Sequence, residues 1–238
     1  MAAHNHFFRF KQFTIDQEHC AMKVSTDGVI LGAWTEPGDA STILDIGTGT
    51  GLIAIMLAQK SKASIDAVEI EPHACSQAIE NAENCPWKER ITVTHSSFQE
   101  YSKHSEHKYD LIVTNPPFFS NSLKTPHNGR NLARHNDILP PEALLAGVDR
   151  LLSPNGRFCL ILPCIESSLF MVDAALYNLY CTRKTYVKPT PKKSTSRVLM
   201  ELARERNKIQ ETDLIIQGED GQYTENFALL TKEYYLFL

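Results

Sequence analysis

The 238-residue chain has no apolar run approaching the roughly 18 residues that a membrane span needs. Its first 13 residues, MAAHNHFFRFKQF, contain no apolar stretch followed by a cleavage site, so they do not read as a secretory signal. A cytoplasmic protein without a membrane partner is expected. No pair among Cys20, Cys75, Cys85, Cys159, Cys164 and Cys181 forms C-x-x-C. They are scattered through helix-like and strand-like segments, which argues for buried free thiols over a disulfide framework or a zinc site. His104 and His107 have H-x-x-H spacing, but the run 102–108 is polar and reads as a solvated loop, so no metal is expected. Repeats and low-complexity linkers are also missing, so residues 1–238 read as one domain, most simply a monomer. A formal net charge of −4 gives no whole-protein attraction to nucleic acid, and any RNA site must come from a local basic cluster.

What is present is an alternation of short apolar runs and amphipathic stretches. Strands are expected at Thr42–Ile46, Ile65–Ile70, Ile91–Thr94, Tyr109–Thr114 and Phe158–Leu162. Helices are expected at Gly51–Lys60, Pro72–Asn84, Pro141–Leu152 and near Ser167–Tyr180. Pro72 suits a first helical turn, where a missing N–H costs nothing, and Ser153–Gly156 reads as a turn. Two further strand-like runs, Thr185–Lys188 and Arg197–Ala203, fit an antiparallel hairpin at the sheet edge. The alternation predicts an α/β, Rossmann-like domain with a mostly parallel sheet, seven strands in all.

The first expected strand ends in Asp45 and runs into Gly47-Thr48-Gly49-Thr50-Gly51 before a helix. Glycines there permit a sharp turn and a close approach of backbone to ligand, outside the carboxyl ends of the strands. Gly49-Thr50-Gly51-Leu52-Ile53-Ala54 also satisfies the dinucleotide pattern G-x-G-x-x-[GA]. Asp45 decides between the readings: a carboxylate is awkward beside a pyrophosphate and suits a ligand carrying an ammonium and a sulfonium. The D-x-G-x-G-x-G arrangement resembles that of class I methyltransferases, which implies S-adenosylmethionine as cofactor. Glu69, ending the second strand, is placed to accept from two ribose hydroxyls. Glu71 is the competitor, although at a helix start it can simply favour the dipole.

Asn115-Pro116-Pro117-Phe118 follows the fourth strand directly. An amino group conjugated to a purine is a poor nucleophile, because its lone pair is delocalised. The Asn115 side-chain carbonyl and the Pro116 backbone carbonyl could accept its two N–H groups and aim the lone pair at a methyl donor. Pro117 stiffens the loop, and Phe118 offers a stacking face. An ordinary turn after a strand is the alternative, and the upstream glycine motif in the correct chain order disfavours it.

Over nearly the whole chain the sequence resembles the bacterial tRNA(Val) adenine-37 N6-methyltransferases. The resemblance runs through Phe10-Lys11-Gln12-Phe13, Cys20-Ala21-Met22-Lys23-Val24, Thr26-Asp27-Gly28, Leu31-Gly32-Ala33-Trp34, Leu44-Asp45-Ile46-Gly47, Pro86-Trp87, Glu89-Arg90-Ile91, Asn115-Pro116-Pro117-Phe118 and Tyr234-Tyr235-Leu236-Phe237-Leu238. It implies a class I fold, an N-terminal segment (1–40) closing over the cofactor pocket, and Lys23, Thr26 and Asp27 lining that pocket. It implies methylation of the adenine beside the anticodon of a valine tRNA. There are two departures from the family pattern. Ser97 stands where an acid usually contacts the cofactor adenine, and Phe118 stands where tyrosine is common. The same N-P-P loop serves DNA adenine and protein glutamine, and a non-catalytic binding module is a further alternative.

For RNA, the run 182–197 carries Arg183, Lys184, Lys188, Lys192, Lys193 and Arg197 and no acid, and Lys124, Arg130 and Arg134 follow the N-P-P-F loop. Both can neutralise phosphates. Residues 7–11 interleave aromatic and basic side chains, a pattern suited to stacking on loop bases. Substrate contacts are expected from Phe118, Arg130, Arg134, Lys192 and Lys193.

Overall fold

A computed structural model describes residues 6–117 and 139–238. Phe118, Lys124, Arg130 and Arg134 lie outside the described residues. The chain opens with a small hairpin, β1 (Phe7–Arg9) and β2 (Thr14–Asp16), followed by α1 (Thr26–Trp34). Then come β3 (Thr42–Ile46), α2 (Leu52–Lys60), β4 (Ser64–Glu69), α3 (Pro72–Glu83), β5 (Ile91–His95), α4 (Phe98–His104) and β6 (Tyr109–Thr114). After the undescribed stretch follow α5 (Pro141–Leu151), β7 (Leu152–Pro163), α6 (Cys164–Ala175), β8 (Tyr180–Lys188), β9 (Arg197–Ala203), β10 (Gln210–Ile215) and α7 (Glu225–Thr231).

The sheet has the order β10-β8-β9-β7-β6-β3-β4-β5. Every pairing is parallel except those of β9, which is antiparallel to both β7 and β8. Eight strands replace the expected seven, because Gln210–Ile215 adds itself parallel to β8. This strand is amphiphilic only at Leu214, the one fully buried residue of its six, so no apolar alternation announced it. The β8–β9 hairpin is therefore interior, and β10 occupies the edge.

Strand alternation divides the core between two faces. Ile43, Leu111, Val113, Cys159 and Ile161 point to one face, with α1, α2 and the aromatic residues of the N-terminal hairpin and C-terminal tail. Leu44, Ile112, Phe158, Leu160 and Leu162 point to the other, under α4, α5 and α6. Helix α2 is buried from Leu52 to Ala58, because α1 covers the side that α2 turns away from the sheet. A helix apolar all round is what such a position requires.

Local readings change in three places. Ser153–Gly156 is not a free turn: Leu152 pairs with Tyr109 and Arg157 with Leu111, so the four residues between bulge out within β7. Residues 102–104 are helical, because Ser97 caps α4 by accepting from the Glu100 N–H at 3.2 Å. The aromatic-basic segment is divided: Phe7, Arg9 and Lys11 are exposed, Phe8 is half-buried and Phe10 is buried. Phe10 is 1% exposed and stacks on Phe13 at 4.6 Å, while Lys11 Nζ donates to the carbonyls of Lys232 and Leu238. Phe7 alone of its phenylalanines stays open. All six cysteines are free, five of them buried. No helix among the described residues is long and apolar enough to cross a membrane.

Helix α5 lies so close to α4 that a β-carbon on Gly147 would meet the Phe98 ring at 2.4 and 2.6 Å. Gly147→Ala should therefore destabilise the protein by about 1–3 kcal/mol of overpacking, despite the ~1 kcal/mol that alanine gains over glycine in helix propensity. Urea unfolding measures it, and an unchanged or raised midpoint refutes the tight α4–α5 approach.

Candidate active site

A cavity of about 240 Å³ opens at the carboxyl ends of β3, β4 and β6. Its floor is Ile46, Gly47 and Gly49 after β3, and Val68 and Glu69 at the end of β4. Asn115, Pro116 and Pro117 after β6 form one side, and Cys20, Ala21 and Met22 of the N-terminal segment another. Phe98, Ile70 and Leu139 add apolar wall.

The parallel register brings the two sequence motifs together. Ile46 pairs with Thr114, and Thr114 Oγ1 donates to the Ile46 carbonyl at 2.8 Å. The glycine loop and the N-P-P loop thus leave adjacent strands at the same level. Gly47, Gly49 and Gly51 have φ of 67°, 58° and 82°, values that other residues adopt only with strain. A β-carbon on Gly47 or Gly49 would meet nothing within 4 Å, so these two leave room for a ligand against bare backbone. Gly51 instead caps α2 and packs on Ala78.

Glu69 is 8% exposed and held on both oxygens. One accepts from the Gly49 N–H at 2.8 Å; the other accepts from the N–H groups of Ile70 and Glu71, both at 2.9 Å. The competitor Glu71 caps α3, accepting from His73 and Ala74 at 3.1 and 2.6 Å, and these bonds pull its carboxyl below the usual range. Both acids touch the cavity, but Glu71 is committed to the helix end.

Asp45 is fully buried and lies behind the loop rather than on the cavity wall. Its Oδ2 accepts from Thr48 Oγ1 at 2.6 Å and from the Ala54 N–H at 3.2 Å, pinning the turn to the start of α2, while Oδ1 has no partner among the described residues. Burial, opposed by those two hydrogen bonds and reinforced by the Glu69 charge, pushes its carboxyl up to about 7.

Of the N-terminal residues expected at the pocket, Lys23, Thr26 and Asp27 are not among its walls; Cys20, Ala21 and Met22 take that place. Ser25, not Thr26, caps α1, accepting from the Gly28 N–H. Asp27 pairs with Arg197 at 2.7 Å, tying α1 to the start of β9. Ser97 serves as the α4 cap while its neighbours Ser96, Phe98 and Gln99 face the cavity. The Cys20 thiol is pushed up to about 11, first by burial and then by Glu69 and Glu71, so it contributes wall rather than a nucleophile.

The basic run proves to be charge-paired by acids from other elements. Arg183 meets Glu201 at 3.1 Å, Lys184 meets Glu211 at 3.7 Å, Lys188 meets Asp213 at 3.7 Å and Lys192 meets Glu219 at 3.2 Å. Arg183 also stacks on Trp34 at 3.7 Å. Lys192 and Lys193 sit in the β8–β9 connection, at the same end of the sheet as the cavity. Among the described residues, His104 and His107 join no group able to hold a metal ion.

Sequence reasoning missed Asn81, which touches both the loop and the hairpin. Its signal was present but weak: an asparagine, of poor helix propensity, on the helix face of Ala74, Ala78 and Ala82, which also buries Gln77.

Asp45 also generates a pH prediction. Its folded value, about 7, lies above its ordinary 3.8, so the folded state keeps a proton that the unfolded state has lost. Its contribution to stability is full below the lower value and is lost as pH rises towards the higher. Between pH 5 and 7 the urea stability of the wild type should fall relative to that of Asp45→Asn, by up to about 1.4 kcal/mol per pH unit. Parallel pH profiles for the two proteins refute this assignment.

A family model described as the methyltransferase small domain matches residues 28–162, from α1 to the end of β7. A Trichodesmium erythraeum protein named tRNA1(Val) (adenine(37)-N6)-methyltransferase is 47% identical, with 96% of this chain and 97% of that protein covered. A Bacteroides fragilis protein of the same name is 46% identical over 97% and 98%. Among solved structures, a predicted O-methyltransferase from Agrobacterium tumefaciens superposes with a TM-score of 0.68 at 16% identity, covering 86% of this chain and 95% of that one. A ribosomal protein L11 methylase from Lactobacillus delbrueckii gives 0.56 at 19%, covering 75% and 78%; these two likenesses speak to the fold alone. Identity of this order over almost the full length of both chains, on a methyltransferase sheet, means that the chain belongs to the family of tRNA1(Val) (adenine(37)-N6)-methyltransferases.

Proposed function

We propose that the protein transfers the methyl group of S-adenosylmethionine to the exocyclic N6 of adenine 37 in a valine tRNA, in the cytoplasm. The observation that carries the reading is one cavity holding Gly47, Gly49 and Glu69 on one side and Asn115 and Pro116 on the other. The residues fit the cofactor: the two glycines leave open space beside bare backbone, and Glu69 presents a carboxylate oriented by three N–H groups. The cofactor supplies a methyl group on an already activated sulfonium.

Gly47 and Gly49 would lie against it, with Glu69 accepting from the ribose hydroxyls. Ile46, Val68, Ile70, Phe98 and Leu139 supply apolar surface for the adenine ring. Asp45 acts through the loop, by holding Thr48 and the Ala54 N–H. Asn115 and Pro116 accept the two N–H groups of the target amino group, turning its lone pair towards the methyl carbon. That nitrogen would take the methyl group, leaving the bound cofactor as a thioether, and the extra proton on the nitrogen would leave to water. No general base is required, because positioning for in-line displacement does most of the work. The target base must be turned out of its stack to reach this depth, and Lys193, beside Lys192 in its exposed pair with Glu219, is placed to meet phosphates at the same sheet end.

Asn115→Ala should lower kcat by about 10²-fold or more while leaving S-adenosylmethionine binding within a small factor. The measurement is transfer of labelled methyl to unmodified tRNA transcripts, with the product identified as N6-methyladenosine. Label confined to valine tRNA and lost in the variant supports the reading. Label in DNA or protein instead removes the tRNA assignment, and cofactor binding without transfer to any acceptor points to a binding module.

A further inference from the structure

The cavity has two walls that are far apart in sequence: the glycine loop, residues 47–51, and the N-terminal stretch Cys20–Met22. Neither holds itself. Backbone at φ of 58° to 82° in glycine has no intrinsic preference to stay there, and Met22 is 65% exposed. One buried side chain is bonded to the supports of both.

Asn81 lies on α3 and is 1% exposed. Its Nδ2 donates to the carbonyl of Thr50, between Gly49 and Gly51, at 2.8 Å, and to the carbonyl of Asp16 at 2.8 Å. Its Oδ1 accepts from the Asp16 N–H at 2.9 Å. Two carbonyls and one N–H as partners define which end of the amide is which. Asp16 ends β2, and the next residue, Gln17, is 3% exposed. The Gln17 side chain accepts from the Val24 N–H at 2.8 Å, closing the loop that carries Cys20, Ala21 and Met22. The route from cofactor loop to opposite wall is therefore Thr50, Asn81, Asp16, Gln17, Val24, each step a hydrogen bond or a peptide bond.

We propose that Asn81 is a positioning residue for the cofactor cavity, fixing the glycine loop and the Cys20–Met22 wall in one geometry although it does not itself line the cavity. The inference rests on the S-adenosylmethionine reading of the cavity. Its physical content is a coupling: the loop and the wall loosen together when the amide is changed, and the cost falls on cofactor binding rather than on the chemical step, because Asn115 hangs from β6 through Thr114 and not from α3.

Asn81→Asp is the direct test, since it keeps the shape and the acceptor for the Asp16 N–H. It removes both donors and sets a carboxylate against two carbonyls. Asn81→Ser, neutral and smaller, serves if the aspartate variant does not fold. Either variant should raise the Kd for S-adenosylmethionine, measured by calorimetry, about tenfold or more. The kcat at saturating cofactor should stay within about twofold of wild type. Hydrogen exchange in the ligand-free protein should quicken at residues 47–51 and 20–24 together. Leu202→Val, in the core of the other sheet face, is the control for general destabilisation and should leave Kd unchanged. A folded Asn81 variant with wild-type Kd, exchange that quickens at only one of the two segments, or an equal rise in Kd in Leu202→Val overturns the proposal. Failure of the wild type itself to bind S-adenosylmethionine sinks the functional reading instead, and the exchange experiment still decides the coupling.

Discussion

A turn made of glycines has no conformation of its own, and the rest of this site depends on the side chains that impose one. Asp45 grips the turn from behind through Thr48 and the Ala54 N–H. Glu69 holds the Gly49 N–H from the neighbouring strand. Asn81 holds the Thr50 carbonyl from α3. Glycine is needed because the backbone must enter the left-handed region with space left beside it. Because glycine is permissive, the loop is specified by hydrogen bonds from three elements rather than by its own residues. The cavity floor is thus a tertiary object written onto a local motif.

Those contacts place two carboxylates near each other at low exposure, and the consequence appears in Asp45. Burial and the Glu69 charge raise its proton affinity, while Glu69 itself accepts from N–H groups on both oxygens. Two acids on neighbouring strands are thereby held differently. Asp45 lies behind the backbone as a clamp on the loop, and Glu69 lines the cavity.

Charge elsewhere is organised by the edge strand. Residues 182–197 contain no acid, yet Glu201 on β9, Glu211 and Asp213 on β10, Glu219 after it and Asp27 on α1 come to meet five of the six cations. The exposed pair Lys192–Glu219 contributes little stability, but all five pairs reduce the bare positive charge available to a phosphate backbone. The stretch reads as an electrostatic arm in one dimension and as a mostly neutralised sheet edge in three.

Much of the fold was legible because its signals are local. Apolar runs of strand length, Pro72 at a helix start, and a glycine turn between strand and helix each report their own conformation. They placed β3, β4, β6, α2, α3 and α5 to within a residue or so. Strand β10 was not legible, since a polar edge strand has one buried residue and no alternation, and the Ser153–Gly156 bulge resembles any turn. By itself the sequence singled out Asp45, the glycines, Glu69 and Asn115-Pro116 at the ends of β3, β4 and β6, because those residue types suit that place for reasons of backbone freedom and charge, and Gly47, Gly49, Glu69, Asn115 and Pro116 do line one cavity. Only the tertiary structure decided which N-terminal residues form the opposite wall, that Asp45 stands behind the loop, that Ser97 caps a helix, and that Asn81 ties the walls together. Those outcomes depend on which distant groups meet, and no spacing along a chain encodes a contact whose two halves lie on different elements.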